Sequence, residues 1–369
     1  MIAIVVGTRP EIIKMSPVIR ECEHRGLDYY VIHTGQHYSY EMDQIFFQEL
    51  ELPHPKYQLN VGSGTHAEQT AGILAGSEGI LVKDRPDIVL VQGDTNTVLG
   101  AALAASKLDI PVGHIEAGLR SQDRRMPEEI NRVLTDHLSR YLFAPTEQAR
   151  EHLLREGIED SWISVTGNSI VDAVWQNIRI AEKHREVLET HDLERKKFFL
   201  VTAHRQENVD DPVQLQRILE GISLVQEEFF LPVIFPAHPR TRKRIQDYCP
   251  DTSGVEIIDP VGFLEFLQLE SSARLVLTDS GGVQEETCIL GVPCVTLREN
   301  TERPETIAVG SNRLAGTDPR RILGSARAML SQRKIWYNPF GDGRASERIL
   351  DLCLGDGHAH RSASLASVE

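Results

Sequence analysis

The chain has little cysteine, and the cysteines it has are scattered. Five occur among 369 residues, and none forms a CxxC pair. Such pairs are typical of zinc and redox sites, so neither kind of site is indicated by spacing. We expect the cysteines to be small, buried apolar side chains in a reducing compartment. They stand at positions 22, 249, 288, 294 and 353.

The chain also lacks an excess of positive charge and a long apolar run. Its formal net charge of −15 argues against nucleic acid or an anionic membrane as a partner, because neither would be attracted to it. A local cluster of Arg and Lys can still hold a small anionic ligand. No apolar run approaches membrane-spanning length, and the opening MIAIVV leads into a first strand rather than a signal peptide. We therefore predict a cytoplasmic protein.

Short β-branched runs alternate with amphipathic stretches, and this pattern predicts the fold. Continuous apolar strands separated by helices indicate parallel sheets that are covered on both faces. The pattern stops near residue 168 and restarts near residue 198, after a long helix candidate at 170–188. The sequence therefore predicts an α/β protein of two doubly wound domains, at residues 1–168 and 169–355. We expect the last helix, near 344–354, to pack back on the first domain, and residues 356–369 to form a disordered tail.

The most informative stretch is residues 111–132, PVGHIEAGLRSQDRRMPEEINR. A short apolar strand runs into Glu116, and a charged loop then delivers Glu128 and Glu129 to the start of a helix. Acids at the carboxyl end of a strand lie where doubly wound folds bind ligands. His114 and His137 do not have the spacing of a metal-ligand pair. The stretch indicates either a carboxylate site that transfers protons without a metal or a solvated acidic loop with a capping Glu.

Two further strand-to-helix junctions in the first half carry chemistry. In GTRPEIIK, Arg9 and Lys14 can face an anion at a helix N-terminus; an ordinary turn with exposed basic residues is the alternative. In QGDTNT, Asp94 ends a buried strand and serves either as a ligand-facing acid or as a helix cap. Neither junction has the glycines of a dinucleotide fingerprint or a P-loop, so neither NAD nor ATP is supported.

The second half contributes a candidate phosphate cradle. In TAHRQEN, His204 follows a strand and can donate to a phosphate or exchange protons. In TDSGGVQEE, a strand ends before Ser280, Gly281 and Gly282, whose backbone N–H groups can hold an anion at a helix start. A carboxylate about one turn later, Glu286, can accept both hydroxyls of a ribose. A simple turn is the alternative, but the combination favours a nucleotide sugar.

Taken together, these motifs resemble the non-hydrolysing UDP-N-acetylglucosamine 2-epimerases. The resemblance covers essentially the whole chain, and the motifs stand in family order: GTRPEIIK, QH, GDT, HIEAGLR, PEEINR, TGN, HRQEN, TDSGGVQEE and TERPE. It implies two Rossmann-like domains in the GT-B architecture, with the active site in the interdomain cleft. It also implies a UDP-sugar ligand, no cofactor and a homodimer.

The resemblance assigns roles residue by residue. Its catalytic acids and histidine match Asp94, Glu116, Glu128 and His204. The substrate-binding positions match Arg9, Lys14, Phe266, Ser280, Gly281, Gly282, Glu286 and Arg303. Val261 stands where family members often carry Gln, so only a backbone contact would survive there. Glu129 is expected to start the helix or to pack, because the family pattern points to the first Glu of PEEINR.

The reaction that the resemblance implies removes the C2 proton while UDP leaves C1, giving 2-acetamidoglucal, and then re-adds UDP with a proton on the opposite face. Proton-handling groups are needed on both faces of C2. Three other functions are possible. Hydrolysing relatives release free N-acetylmannosamine and UDP, but they carry GDR and HIxGGE where this chain has GDT and HIEAGLR. A GT-B glycosyltransferase would not need the acids of the first domain, and the last alternative is a UDP-sugar sensor without catalytic activity.

Substrate and regulation are less determined than the reaction. Relatives in this family also act on UDP-N-acetylfucosamine or on diacetamido uronic acid sugars, and the motifs do not separate these. Some members bind a second UDP-N-acetylglucosamine as an activator. Those members use residues near a QHxxM motif and an Arg–Gln pair to bind the activator. Gln36 and His37 match the start of the motif, but the segment SGTHAEQ lacks the Arg–Gln pair, so activation is not predicted.

Overall fold

The structure is a computed structural model, and it describes residues 1–35, 40–183, 186–248, 254–332 and 335–365. Gln36, His37 and Cys249 lie outside these ranges. The chain divides into two compact units, residues 1–173 with 340–369, and residues 174–339. The predicted boundary after residue 168 lies close to this division, but residues 340–355 belong to the first unit. No helix within the described ranges is long and apolar enough to cross a bilayer.

The first unit contains a parallel sheet of seven strands in the order β3-β2-β1-β4-β5-β6-β7. The strands are β1 (Ile2–Val6), β2 (Tyr29–His33), β3 (Tyr57–Gln58), β4 (Ile88–Gln92), β5 (Val112–Ile115), β6 (Tyr141–Ala144) and β7 (Ile163–Val165). The helices are α1 (Arg9–His24), α2 (Tyr40–Glu49), α3 (His66–Lys83), α4 (Asn96–Lys107), α5 (Pro127–Leu138), α6 (Glu147–Arg155) and α7 (Ser169–Ala181), and a 3-10 turn spans Asp160–Trp162. Helix α7 runs across the division into the second unit.

The second unit contains a parallel sheet of six strands in the order β10-β9-β8-β11-β12-β13. The strands are β8 (Phe199–Thr202), β9 (Val233–Pro236), β10 (Val255–Ile258), β11 (Leu275–Thr278), β12 (Cys294–Thr296) and β13 (Asn312–Leu314). The helices are α8 (Glu186–Thr190), α9 (Gln206–Val209), α10 (Pro212–Phe229), α11 (Pro239–Tyr248), α12 (Phe263–Ser272), α13 (Gly281–Ile289), α14 (Pro304–Ala308) and α15 (Pro319–Ser331). The predicted α/β fold with two doubly wound sheets is confirmed.

Apolar side chains cover the second sheet on both faces, as its continuous apolar strands predict. Along β8, Phe199 and Val201 pack in one apolar cluster, whereas Leu200 packs in another together with the preceding Phe198. Successive side chains of a strand point to opposite faces, so these clusters lie on opposite sides of the sheet. All four side chains are fully buried. This burial fixes the register of the strand and hence the position of its carboxyl end.

The C-terminal segment completes the first unit. The buried carboxylate of Asp172 accepts hydrogen bonds from the backbone N of Ser346 at 2.9 Å and of Ala345 at 3.2 Å. The helix α16 (Ala345–Leu365) that begins there also contacts α1, through an ion pair of 2.6 Å between Arg25 and Asp351. The helix continues past residue 354, into the segment predicted as a tail. That segment contains no proline to stop it.

Candidate active site

The first group of candidate residues lies at the carboxyl end of the first sheet, and Glu116 is its centre. Glu116 directly follows β5 in a left-handed backbone conformation, at φ +70°, which costs energy for a residue with a side chain. Lys14 Nζ lies 2.7 Å from its Oε1. The side-chain amides of Asn168 and Gln92 donate to the same carboxylate, at 3.0 and 2.5 Å. These three donors hold the carboxyl group in one orientation.

The partner of Lys14 differs from the sequence-based expectation. The resemblance assigns Lys14 to the sugar diphosphate, whereas its ammonium here is paired with Glu116. The two side chains are 15% and 6% exposed, so the pair is largely removed from water. Lys14 therefore stabilises the negative charge of Glu116 in this arrangement, and its assignment to the diphosphate stays a prediction.

Asp94 follows β4 and is not the cap of the next helix. Thr95 has that place, because its side chain accepts from the backbone N of Thr97 at 3.2 Å. The carboxylate of Asp94 is instead paired with Arg132. Arg132 also lies 3.0 Å from Glu129, so one guanidinium bridges the two acids. The alternative that Asp94 is only a helix cap is thereby removed.

Glu128 and Glu129, neighbours at the start of α5, have different surroundings. Glu129 is buried and accepts from the backbone N of Ser121 at 2.9 Å and of Gln122 at 3.0 Å. Burial raises the pKa of Glu129, but these hydrogen bonds outweigh it and the pKa is lowered. Glu128 is half-buried and makes no hydrogen bond or ion pair with the described residues. Glu129 thus anchors the loop, while Glu128 is available to a ligand.

The β1–α1 junction contains Arg9 and a buried acid, Glu11, whose pKa is raised by burial and by the nearby Asp94 charge. Glu11 accepts from the backbone N of Gly7 at 2.5 Å and of Thr8 at 3.1 Å. Its complete burial raises its pKa to about 7, against the effect of these hydrogen bonds and with the help of the nearby Asp94 charge. The guanidinium of Arg9 lies over the Phe46 ring, 5.4 Å from its centroid. Glu11 is an additional titratable group that the sequence did not single out.

The second group of candidate residues lies in the second unit, where Asp279 holds His204. His204 follows β8 with its side chain 58% exposed, and its Nδ1 lies 3.0 Å from Asp279 Oδ1. Asp279 is fully buried and also accepts from the backbone N of Arg205 and from Asn208 Nδ2, both at 3.0 Å. Burial raises the pKa of Asp279, but His204 and the backbone donors lower it overall. The carboxylate thus orients the imidazole and leaves Nε2 for a ligand.

The predicted cradle opens into a cavity of about 270 Å³. Ser280 precedes the first turn of α13, which Gly281 and Gly282 begin. The cavity is lined by Thr202, Ala203, His204, Pro236, His238, Pro260, Val261, Phe266, Ser280 and Val283. The structure therefore brings together the histidine, the aromatic residue and the cradle, which sequence motifs alone could only place at strand ends. His238 and Val261 line the same cavity.

Arg303 contacts the first Glu of the QEE segment. Arg303 Nε lies 2.6 Å from Glu285 Oε1, and the Glu285 side chain is 3% exposed. Glu286 is half-buried one residue later on α13. Arg303 is therefore near the cradle helix but already has a carboxylate partner, and its contact with a ligand stays a prediction.

Several residues that support these groups were not predicted from the sequence. They are Gln92, Arg132, Asn168, Glu11, Glu285 and Asp279. The signal was present for Arg132 and Asp279, because both stand inside the motifs PEEINR and TDSGG. Asn168 likewise stands inside TGN, whereas Gln92 carried no signal, since its contact with Glu116 depends on how the strands are ordered in the sheet. Among the residues that the structure describes, no group of three or more His, Cys, Asp or Glu side chains could hold a metal ion.

Comparison with known proteins identifies the family. The family described as UDP-N-acetylglucosamine 2-epimerase matches residues 20–354. A UDP-N-acetylglucosamine 2-epimerase of Methanocaldococcus jannaschii is 56% identical over 358 residues, which are 95% of this chain and 98% of the relative. A UDP-2,3-diacetamido-2,3-dideoxy-D-glucuronate 2-epimerase of Pseudomonas aeruginosa is 43% identical, over 94% of this chain and 97% of the relative.

A solved structure agrees with the fold. The M. jannaschii UDP-GlcNAc 2-epimerase in complex with UDP-GlcNAc and UDP superposes with a TM-score of 0.83 at 55% identity, covering 96% of this chain and 99% of that one. The match extends over both sheets, which confirms the GT-B class of fold that the motifs implied. The chain therefore belongs to the non-hydrolysing UDP-N-acetylglucosamine 2-epimerases, a family of isomerases.

Proposed function

We propose that the protein interconverts UDP-N-acetylglucosamine and UDP-N-acetylmannosamine by eliminating and re-adding UDP. The observation that carries the proposal is the set of acids at the strand ends of the first unit. Glu116 is paired with Lys14, Asp94 is paired with Arg132, and Glu128 has no partner among the described residues. Such a set offers several carboxyl groups that can exchange protons with a substrate.

The proposed reaction has two steps, elimination of UDP and its re-addition. A carboxylate takes the C2 proton while the bond between C1 and the β-phosphate oxygen breaks, and its electron pair leaves with UDP. The resulting 2-acetamidoglucal has a C1–C2 double bond. The β-phosphate oxygen then attacks C1 while a carboxyl group delivers a proton to the opposite face of C2. We assign proton transfer to Asp94, Glu116 and Glu128 without deciding which serves which face.

The second unit is proposed to bind UDP throughout the reaction. His204, oriented by Asp279, and the N–H groups of the cradle at Ser280 would stabilise the charge of the departing diphosphate. Phe266 lies in the same cavity and would contact the uracil, and Arg9 and Lys14 of the first unit remain candidates for the diphosphate. Glu286 would accept the ribose hydroxyls. These side chains supply charge and orientation, and the proposed steps need no cofactor.

Incubation of the purified protein with UDP-N-acetylglucosamine in D₂O, followed by NMR, tests the reaction. We expect UDP-N-acetylmannosamine with deuterium at C2. Glu116→Gln and Glu128→Gln should each lower kcat by roughly 10²- to 10⁴-fold, the usual contribution of a general acid or base. Glu151→Gln, on the exposed face of α6, is the matched control and should retain full activity.

Three results would contradict the proposal. Product without solvent deuterium would exclude proton exchange at C2. Free N-acetylmannosamine would show hydrolysis, and full exchange in both acid variants would remove their assignment. The P. aeruginosa relative also makes a UDP-diacetamido uronic acid sugar a second candidate substrate, to be compared by kcat/KM in the same assay. The homodimer remains a prediction that light scattering of the purified protein tests.

A further inference from the structure

A buried histidine that the proposed reaction does not use contacts the turn that carries Asp94. It is His114, on β5, two residues before Glu116, and its side chain is fully buried. Its Nε2 lies 2.8 Å from the backbone carbonyl oxygen of Gly93, the residue before Asp94. Its Nδ1 lies 2.6 Å from Oδ1 of Asp136, on α5. His114 therefore joins the turn after β4 to a helix on the same unit.

Both contacts of the His114 ring are hydrogen bonds whose protons can be counted. A carbonyl oxygen only accepts, so the proton of the contact with Gly93 is on Nε2. One proton must also lie between Nδ1 and Asp136 Oδ1, because two acceptors would repel each other at 2.6 Å. A buried polar group that loses its partner is left without hydration as well. The orientation of the ring is therefore fixed from both sides.

Asp136 connects the same histidine to the turn that follows β5. Its Oδ2 accepts from the backbone N of Gly118 at 3.2 Å and lies 2.7 Å from Arg120 Nη2. Gly118 stands two residues after Glu116, and both have a positive φ, +80° and +70°. A side-chain-bearing residue keeps such a conformation where the surrounding contacts hold it. The carboxyl group of Asp136 thus reaches both turns, one directly and the other through His114.

The backbone around Asp94 is held by side chains at two successive carbonyl groups. His114 donates to the carbonyl of Gly93. Asn131 Nδ2, on α5, donates to the carbonyl of Asp94 itself at 3.0 Å. The N–H of Gly93 donates to the carbonyl of Ile115 at 3.1 Å. With these groups fixed, the direction in which the Asp94 side chain leaves the backbone is fixed as well.

We propose that His114 and Asp136 are positioning residues that hold the carboxyl groups of Asp94 and Glu116 in a constant spatial relation. This inference rests on the proposed function, because it takes proton transfer by Asp94 and Glu116 from it. The side chains of His114 and Asp136 are fully buried, so neither touches the substrate. Proton transfer at one carbon from two directions needs both acids in place, and a misplacement of 1 Å can cost about 100-fold in rate. The pair therefore acts on kcat, whereas the second unit binds UDP without it.

Two amide substitutions at position 114 separate the two contacts of the ring. In His114→Gln the amide nitrogen can take the place of Nε2 and still donate to Gly93, whereas the shorter side chain of His114→Asn takes the place of Nδ1 and reaches only Asp136. We expect kcat on UDP-N-acetylglucosamine to fall about 100-fold in His114→Asn and less than about 10-fold in His114→Gln. The Kd for UDP, measured by calorimetry, should stay within about 3-fold of the wild type in both variants.

The matched control is Thr135→Val, next to Asp136 on α5. Thr135 is fully buried, and its hydroxyl has no hydrogen-bond partner among the described residues, so this variant should keep the wild-type kcat. Urea unfolding of each variant shows whether activity follows stability. Equal kcat values in the two amide variants, or a loss of kcat that parallels the loss of stability across all three, would overturn the positioning role.

A spectroscopic readout needs neither a folded variant nor an assay of the reaction. In protein labelled with ¹⁵N-histidine, the NMR signal of His114 should show a proton on Nε2 at neutral pH that exchanges slowly with D₂O. An Nε2 without a proton would remove the contact with Gly93 and overturn the inference. If the signal is as expected but the wild type does not epimerise UDP-N-acetylglucosamine, the proposed function fails instead.

Discussion

Removing the positive charge beside Glu116 should destabilise the first unit measurably. Lys14→Met keeps most of the side-chain length but removes the ammonium that lies 2.7 Å from Glu116 Oε1. Deleting one member of a buried ion pair costs about 3–5 kcal/mol, because the other charge stays buried. The amides of Gln92 and Asn168 still donate to Glu116. We therefore expect the lower end, a loss of about 3 kcal/mol in the free energy of unfolding.

A double-mutant cycle separates the pair from its surroundings. Glu116→Gln removes the charge that needs compensation, so adding Lys14→Met to it should cost much less than Lys14→Met alone. We expect a coupling energy of about 2 kcal/mol, within the range found for residues in contact. Urea unfolding followed by circular dichroism measures each free energy. Because a chain of two units can unfold in more than one transition, the same unfolding transition must be compared in every variant.

An exposed ion pair provides the matched control. Lys197 and Glu194 lie 2.6 Å apart, but their side chains are 62% and 72% exposed. Lys197→Met and Glu194→Gln should therefore show no measurable coupling, because water screens such a pair. If the effects of Lys14→Met and Glu116→Gln were additive within about 0.5 kcal/mol, the buried pair would not stabilise the fold and the reasoning would fail.

Other features give separate predictions. Because the pKa of Glu11 rises from 4.5 to about 7 on folding, Glu11 stabilises the fold below pH 4.5, and this stabilisation of about 3 kcal/mol is lost as the pH rises to about 7. Glu11→Gln should therefore reduce the dependence of thermal stability on pH in this range. An unchanged pH dependence would contradict the prediction. Asp279→Asn should weaken UDP binding measured by calorimetry, because the amide orients His204 less well; unchanged affinity would refute that role. Gly7→Ala would place a Cβ 2.1 Å from Thr97 Oγ1 and should lower the free energy of unfolding by about 1–3 kcal/mol. The control Gly79→Ala, at an open position in a helix, should instead stabilise the fold by up to about 1 kcal/mol. Equal effects of the two substitutions would refute the steric argument.

The sheets could be predicted from the sequence where strands are buried on both faces. The strands β1 and β4 are continuous apolar runs, and both stand where the pattern placed them. The strand β3 was missed, because Tyr57 and Gln58 form only a short, half-buried edge without an apolar run. The helix predicted at 170–188 ends earlier, at Ala181, and α8 begins separately. Short polar segments depend on the tertiary contacts around them, which periodicity does not contain.

The site could be predicted only as a set of positions. Glu116, Asp94 and His204 could be placed at strand ends, because the local alternation of apolar strands and amphipathic helices shows where each strand stops. The ion pair of Glu116 with Lys14 joins residues 102 positions apart, and no local pattern records which strands are neighbours in a sheet. The TDSGG motif contains Asp279, but its contact with His204 likewise depends on β8 and β11 being neighbours in the sheet.

The division of the chain has a consequence for the order in which the units fold during synthesis. Residues 174–339 form one continuous segment, so the second unit can complete its core as soon as that segment has left the ribosome. The first unit cannot complete its fold at that stage, because the buried carboxylate of Asp172 accepts hydrogen bonds from the backbone N–H groups of Ala345 and Ser346, which are synthesised later. The part of the enzyme that is made first therefore finishes folding last. Until then, the Asp172 carboxylate on α7 lacks the backbone donors at the start of the final helix.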